Sequence, residues 1–155
     1  MNLKAKLISK IHKEFPQVKF KTAKLITKGW DHDVLVLDNK FIVRFVKEKL
    51  DKKTFVREIK FLNEFSKISN LKVPKYAFLS KDKSFGGYEI IRGRELTPKI
   101  FQKLPEPKKQ KIIRELAKFL SILHNIPLSK ARRFGFKEYK SWKKVMDEKR
   151  AWFER

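Results

Sequence analysis

The stretch 39-NKFIVRFVKE-48 sets a single arginine, Arg44, in the middle of an otherwise apolar run. Strand alternation puts Ile42, Arg44 and Val46 on one face and Phe41, Val43 and Phe45 on the other, so both faces are apolar except at Arg44. A guanidinium in such a place needs a partner, because an unpaired buried charge is costly. The next element offers one. After Asp51, the residues Phe55, Ile59, Leu62 and Phe65 recur with helical period, and Glu58 falls inside that stripe, between Leu62 and Phe65. Two opposite charges set against the pattern in consecutive elements are expected to meet. The bland alternative is that Arg44 snorkels past a strand edge and Glu58 lies at the margin of its stripe.

Outward from this stretch the chain divides cleanly. Upstream, Leu3, Leu7, Ile8, Ile11 and Phe15 mark an amphipathic helix. Lys19 to Thr27 reads as a strand, Gly29-Trp30-Asp31-His32-Asp33 as a tight turn, Val34 to Leu37 as a second strand, and Asp38-Asn39 as the turn into the third, Phe41 to Val46. Downstream, the helix bearing Glu58 runs to Asn70, and two more strands follow at Tyr76 to Leu79 and Phe85 to Ile91. From Gly93 only helices are expected. One starts at Thr97-Pro98, and a longer one starts at Pro105-Glu106-Pro107 and ends at Asn125, with Ile112, Leu116, Phe119 and Leu123 in its stripe. A basic loop comes next, and a last helix over 138–155 carries Trp142, Trp152 and Phe153. The pattern predicts an α+β fold: a five-stranded antiparallel sheet with one inserted helix over residues 1–93, then the first helices of an α-helical lobe over 94–155.

Composition excludes several classes. The 155 residues contain no Cys, so no disulfide framework or thiolate metal site is available, and three scattered His have no zinc spacing. The amphipathic N-terminus lacks the uninterrupted apolar run of a signal peptide or membrane span, which makes a soluble cytoplasmic protein the expectation. The net charge is +23 but it is spread evenly. Residues 1–52 carry 13 Lys and Arg against 6 Asp and Glu, residues 53–104 carry 12 against 5, and residues 105–155 carry 15 against 6. A nucleic-acid binder more often concentrates its charge on one face or tail and favours Arg. A non-catalytic basic protein binding RNA or another polyanion is therefore the alternative reading, not the first.

Five segments together resemble the aminoglycoside phosphotransferase family, small-molecule kinases of protein-kinase-like fold. They are KGWDHDVLVLDNKFIVRFVK, FVREIKFLNEF, LKVPKYAF, YEIIRGREL and LAKFLSILHNIP, in order from Lys28 to Pro127. The resemblance implies an ATP- or GTP-dependent phosphotransferase acting on a hydroxyl of a small molecule. Gly29, Trp30, Asp31, His32 and Asp33 would form the nucleotide loop, and Arg44, oriented by Glu58, would hold the phosphates as the strand lysine does in protein kinases. Glu89, Ile90 and Ile91 would be the hinge, where the Glu89 C=O and Ile91 N–H pair with the base.

Two departures from the family stand out. The loop has one glycine, Gly29, where a full glycine loop has two or three. The family's His-x-Asp catalytic segment, its Asn and its later metal-binding Asp are absent from these residues. No catalytic residue and no metal ligand is therefore assigned here. The Mg2+ that accompanies the nucleotide is expected to find its ligands in a missing C-terminal part, and the chain alone is expected to be truncated and inactive. His124, at the end of the long helix, reads as a capping or packed residue. The basic excess also argues against a polycationic acceptor and for a neutral or anionic one.

Overall fold

The computed structural model describes residues 2–47 and 51–136. The chain forms two compact units, Met1–Asn125 and Ile126–Arg155. The first unit comprises α1 (Leu3–Glu14), β1 (Ala23–Ile26), β2 (His32–Leu37), β3 (Phe41–Val46), α2 (Lys52–Phe65), β4 (Tyr76–Leu79), β5 (Phe85–Glu89), α3 (Pro98–Gln102) and α4 (Glu106–His124). The described part of the second unit holds α5 (Leu128–Arg133), where the sequence suggested only a basic loop. The helix expected over 138–155, with its Trp142, Trp152 and Phe153, lies outside the described residues. The change from sheet to helix at Gly93 falls inside the first unit. No helix among the described residues is long and apolar enough to cross a membrane.

The five strands make one antiparallel sheet in the order β1-β2-β3-β5-β4. Strands β2 and β3 are joined by a tight hairpin turn. Asp38 and Asn39 have φ of 49° and 51°, and the Lys40 N–H donates to the Leu37 carbonyl at 2.8 Å. Positive φ at both central positions is the type I′ geometry, whose twist matches that of the flanking strands. The Asp38 carboxylate also accepts from the N–H groups of Lys21, at 3.0 Å, and Thr22, at 2.7 Å. Those N–H groups are thereby tied to the turn, and β1 starts at Ala23 and not at Lys19 as expected.

Alternate residues of the sheet face two different environments. On one side Leu35 and Leu37 of β2, Val43 and Phe45 of β3, and Phe85 of β5 pack against Leu7 and Ile11 of α1. On the other, Phe55 and Ile59 of α2 pack on Tyr76, with Val46, Leu79 and Tyr88 around them. Helix α2 begins where Asp51 accepts the Lys53 N–H at 2.9 Å, and it ends at Phe65, earlier than the Asn70 expected. Asn70 instead reaches α4, its Nδ2 donating to the carbonyl and carboxylate of Glu115 at 3.0 and 2.8 Å. Phe119 of α4 also meets Phe65 of α2 edge-on at 5.4 Å.

Strand β4 carries an irregularity that matters for the site. Tyr76 pairs with Tyr88 and Phe78 pairs with Gly87, so Ala77 is an extra residue, a β-bulge. The bulge reverses the alternation. Tyr76 joins the α2 side while Phe78, two residues on, joins the α1 side.

Candidate functional site

Arg44 sits at the centre of β3 and is held from three elements. From α2, Glu58 binds it in a two-pronged pair: Nη1 donates to Oε1 at 2.5 Å and Nη2 to Oε2 at 3.4 Å. From β4, the Tyr76 hydroxyl accepts from Nη1 at 2.8 Å, and from β2, the His32 Nδ1 lies 3.1 Å from Nη2. The ring of Phe55 lies under the guanidinium, 5.8 Å from centroid to Cζ. Burial opposes the charge on Arg44, but the bond to Glu58 and the nearby Tyr76 and Glu58 outweigh it and hold the pKa above its ordinary value. The Arg44–Glu58 contact is therefore present. It is less buried than the pattern implied, with the Arg44 side chain 20% exposed and that of Glu58 35%. Glu58 is at the margin of its stripe, yet it still reaches the arginine.

His32 is not where the sequence reading put it. It and Asp33 are the first residues of β2, not part of the turn, and His32 is only 8% exposed. Its ring stacks obliquely near Phe55, at 5.1 Å. Burial, with Arg44 close by, pushes the His32 pKa down, against the smaller opposing effects of Glu58, Asp31 and Asp33. The imidazole is thus neutral near pH 7. Tyr76 is shifted the other way, its pKa raised by burial although Arg44 opposes this, so its hydroxyl keeps its proton.

The loop between β1 and β2 is pinned by a residue that sequence reasoning missed. Lys47, just past β3, donates from Nζ to the carbonyls of Thr27 at 3.0 Å and Gly29 at 2.6 Å, and pairs with Asp33 at 3.5 Å. Its backbone N–H donates to the Asp31 carbonyl at 3.0 Å. One lysine thus collects the carbonyls that a turn leaves unpaired. A Cβ at Gly29 would come within 2.9 Å of the His32 carbonyl, so the loop needs glycine there for close approach. Trp30 projects from the loop tip and is 90% exposed.

Beyond the reach of α2, the Arg44 side of the sheet presents an apolar floor. Antiparallel pairing puts Ile26 opposite Val34, Val34 opposite Arg44, and Val36 opposite Ile42, so these side chains share one face. Val34, Val36 and Ile42 are half-buried and Ile26 is exposed. The strand at its rim ends at Glu89, two residues sooner than expected, and the Ile90 N–H donates at 2.7 Å to the Lys40 carbonyl in the β2–β3 turn. That bond flanks the Phe41–Glu89 pair, which therefore exchanges no backbone hydrogen bonds, and the Glu89 carbonyl is turned away from β3. Among the described residues the Ile91 N–H has no backbone acceptor. A groove of about 810 Å3 is lined by Glu89, Ile90 and Ile91 and reaches the charged cluster only at Tyr76, with neither Arg44 nor Glu58 in its lining. No group of three or more possible metal ligands occurs among the described residues. His124 is the exposed last residue of α4.

Solved structures of similar fold include the GDP complex of wild-type aminoglycoside 2'-phosphotransferase-IIIa, with a TM-score of 0.81 and 20% identity over 94% of this chain and 50% of that one. The GDP and kanamycin complex of APH(2")-IIia matches with the same TM-score, identity and coverage. The gentamicin complex of APH(2")-IIa matches with a TM-score of 0.75 and 23% identity over 96% of this chain and 49% of that one. The chain spans about half the length of these structures. Residues 22–153 match the phosphotransferase enzyme family (APH), and the chain belongs to that family.

Proposed function

We propose that this chain carries the nucleotide-binding part of an ATP- or GTP-dependent phosphotransferase that phosphorylates a hydroxyl of a small molecule. The observation that supports this best is Arg44, a permanent cation held by the two-pronged Glu58 pair beside an open apolar floor. In this reading Arg44 neutralises the nucleotide's phosphates. The base lies on Val34, Val36 and Ile42, and the Glu89 carbonyl and Ile91 N–H give it a polar edge. Loop residues Gly29 to Asp31, braced by Lys47, lie over the phosphates, with His32 and Asp33 at the start of β2 beneath them, and the lobe boundary falls near Gly93.

The group that would bind here fits the residues in part. The described residues supply a cation, an apolar floor and the Ile91 N–H, which has no backbone acceptor among them, but no cluster of metal ligands. The Mg2+ ligands and the catalytic base belong to the portion of a whole enzyme that this sequence does not include, and the chain alone binds nucleotide weakly and transfers no phosphoryl group. Because the excess charge is positive throughout, the acceptor is a neutral or anionic alcohol. A phosphorylation assay of a protein including both lobes, with kanamycin-type polycations beside neutral and anionic alcohols, checks this; efficient turnover of the polycation would overturn it.

The direct test of nucleotide binding is titration of the chain with fluorescent ATP and GTP analogues, alone and after Arg44→Ala. Saturable binding that Arg44→Ala weakens about tenfold, roughly 1.4 kcal/mol, supports the reading. The polyanion alternative predicts instead that RNA binds, with affinity falling steeply with log salt, and that Arg44→Ala changes little.

A further inference from the structure

We propose that His32 is a positioning residue for the nucleotide phosphates: as a neutral imidazole it accepts one Nη2 proton of Arg44 on Nδ1 and sets the guanidinium in place from the sheet side. This inference rests on the nucleotide reading above. A guanidinium has five N–H groups. Here Nη1 serves Glu58 and Tyr76, and Nη2 serves Glu58 and His32, which leaves only the Nε–H without a protein partner among the described residues. A phosphate oxygen is therefore offered one donor whose direction is set by where the other four are fastened.

Glu58 by itself is a poor anchor for that purpose. Its side chain is 35% exposed and it stands on α2, the kind of helix that swings in kinase-like folds. His32 stands on β2, an inner strand of the sheet, diagonally across the ladder from Arg44, and is nearly buried. The cost of having it there is visible. With Nδ1 accepting from Arg44, the ring proton must be on Nε2, and that atom is buried with no hydrogen-bond partner among the described residues. A phenyl ring would fill the same space beside Phe55 without the unsatisfied N–H. The imidazole does what a phenyl ring cannot only at Nδ1.

Protonation would convert that acceptor into a donor and place a second positive charge beside the guanidinium. The charged groups around the ring are Arg44 on β3, Glu58 on α2, Asp31 just before β2 and Asp33 on it. Burial and Arg44 oppose protonation more than the three carboxylates favour it.

The test measures binding of a fluorescent ATP analogue by the full chain from pH 8 to pH 5.5, for wild type, His32→Phe and His32→Asn. The Asn amide oxygen occupies about the place of Nδ1 and accepts at every pH. Phosphate titration of the nucleotide is common to all three, so the readout is the ratio to wild type. At pH 8 we expect His32→Phe to bind about fivefold more weakly and His32→Asn to match wild type, and any loss of binding by wild type as its imidazole takes up a proton on acidification should be absent from His32→Asn. If wild type binds but all three share one affinity and one profile, the positioning role is overturned. If wild type binds no nucleotide at pH 8, the nucleotide reading fails and this inference with it. Nitrogen-15 spectra of the unliganded chain give an independent check, since an Nδ1–H tautomer of His32 at neutral pH would also overturn it.

Discussion

The two sides of the sheet are built from alternate residues of the same strands, yet they solve opposite problems. On the α1 side Leu35, Val43 and Phe85 are fully buried and Leu37 is 1% exposed, with no charge among them. On the α2 side Glu58, His32 and Tyr76 each hold Arg44 by a directed hydrogen bond, next to the apolar packing of Phe55 and Ile59. The first side needs only volume and shape, so its losses are cavity losses. The second needs partners, and removing any one leaves another unsatisfied. Stability and site can therefore be perturbed separately, one residue apart along a strand.

The largest expected effect is on the apolar side. Phe85→Ala should cost about 3–5 kcal/mol, read as a lower denaturant midpoint, because it empties the place where Phe45 and Phe15 meet its ring. Neighbouring glycines give a sharper contrast. A Cβ at Gly87 would run into the Phe78 ring, whereas one at Gly86 would come within 3.0 Å of the Tyr76 ring and of the Phe78 carbonyl. Each alanine should destabilise by about 1–3 kcal/mol, but only Gly86→Ala should also weaken nucleotide binding, by displacing Tyr76 from Arg44. Equal effects of both on binding would break the distinction between the two sides.

Next in size is Glu58→Ala, expected to cost about 1–2 kcal/mol of stability, since the pair is only half-buried, and to weaken nucleotide binding about tenfold. The pH dependence is subtler and its sign is determined. His32 has its pKa lowered on folding from an ordinary 6.5, so its contribution is fully present above that value and is lost as the pH falls below it. Asp82, although burial works against it, is held low by the hydroxyl and N–H of Ser84 and the hydroxyl of Ser80. Its contribution persists above its ordinary 3.8 and is lost only in stronger acid. Denaturation at a series of pH values should show the first step, and His32→Asn should remove it while leaving the second. Smallest is Lys47→Met, where stability should change by about 0.5 kcal/mol or less because the ammonium is surface-exposed. The β1–β2 loop should loosen all the same, and a lower steady-state anisotropy of Trp30, with Trp142 and Trp152 replaced by Phe, would report it.

Much of the architecture was legible in the chain because its signals are local. Phe41–Val46 and Tyr76–Leu79 form strands at the bounds read from alternation, and Asp38-Asn39 makes the expected hairpin, since both tolerate positive φ. The Arg44–Glu58 contact was legible for a different reason: two charges set against an apolar pattern have few places to go. The start of β1 was not legible, because the N–H groups of Lys21 and Thr22 are taken by Asp38 of the β2–β3 turn, a contact that no local pattern records.

By itself, then, the sequence determined the sheet, the inserted helix and the pairing of one buried cation with one carboxylate, all of which follow from periodicity and charge. Only the tertiary structure decided the rest of the cage around Arg44. Tyr76 reaches the arginine because one extra residue, Ala77, reverses the alternation of β4, and His32 reaches it because β2 begins earlier than its turn-like sequence suggests. A bulge shifts every side chain before it to the other face of the sheet while leaving composition and period almost unchanged. Which polar groups converge on Arg44 is consequently settled by register, and register is a property of paired strands.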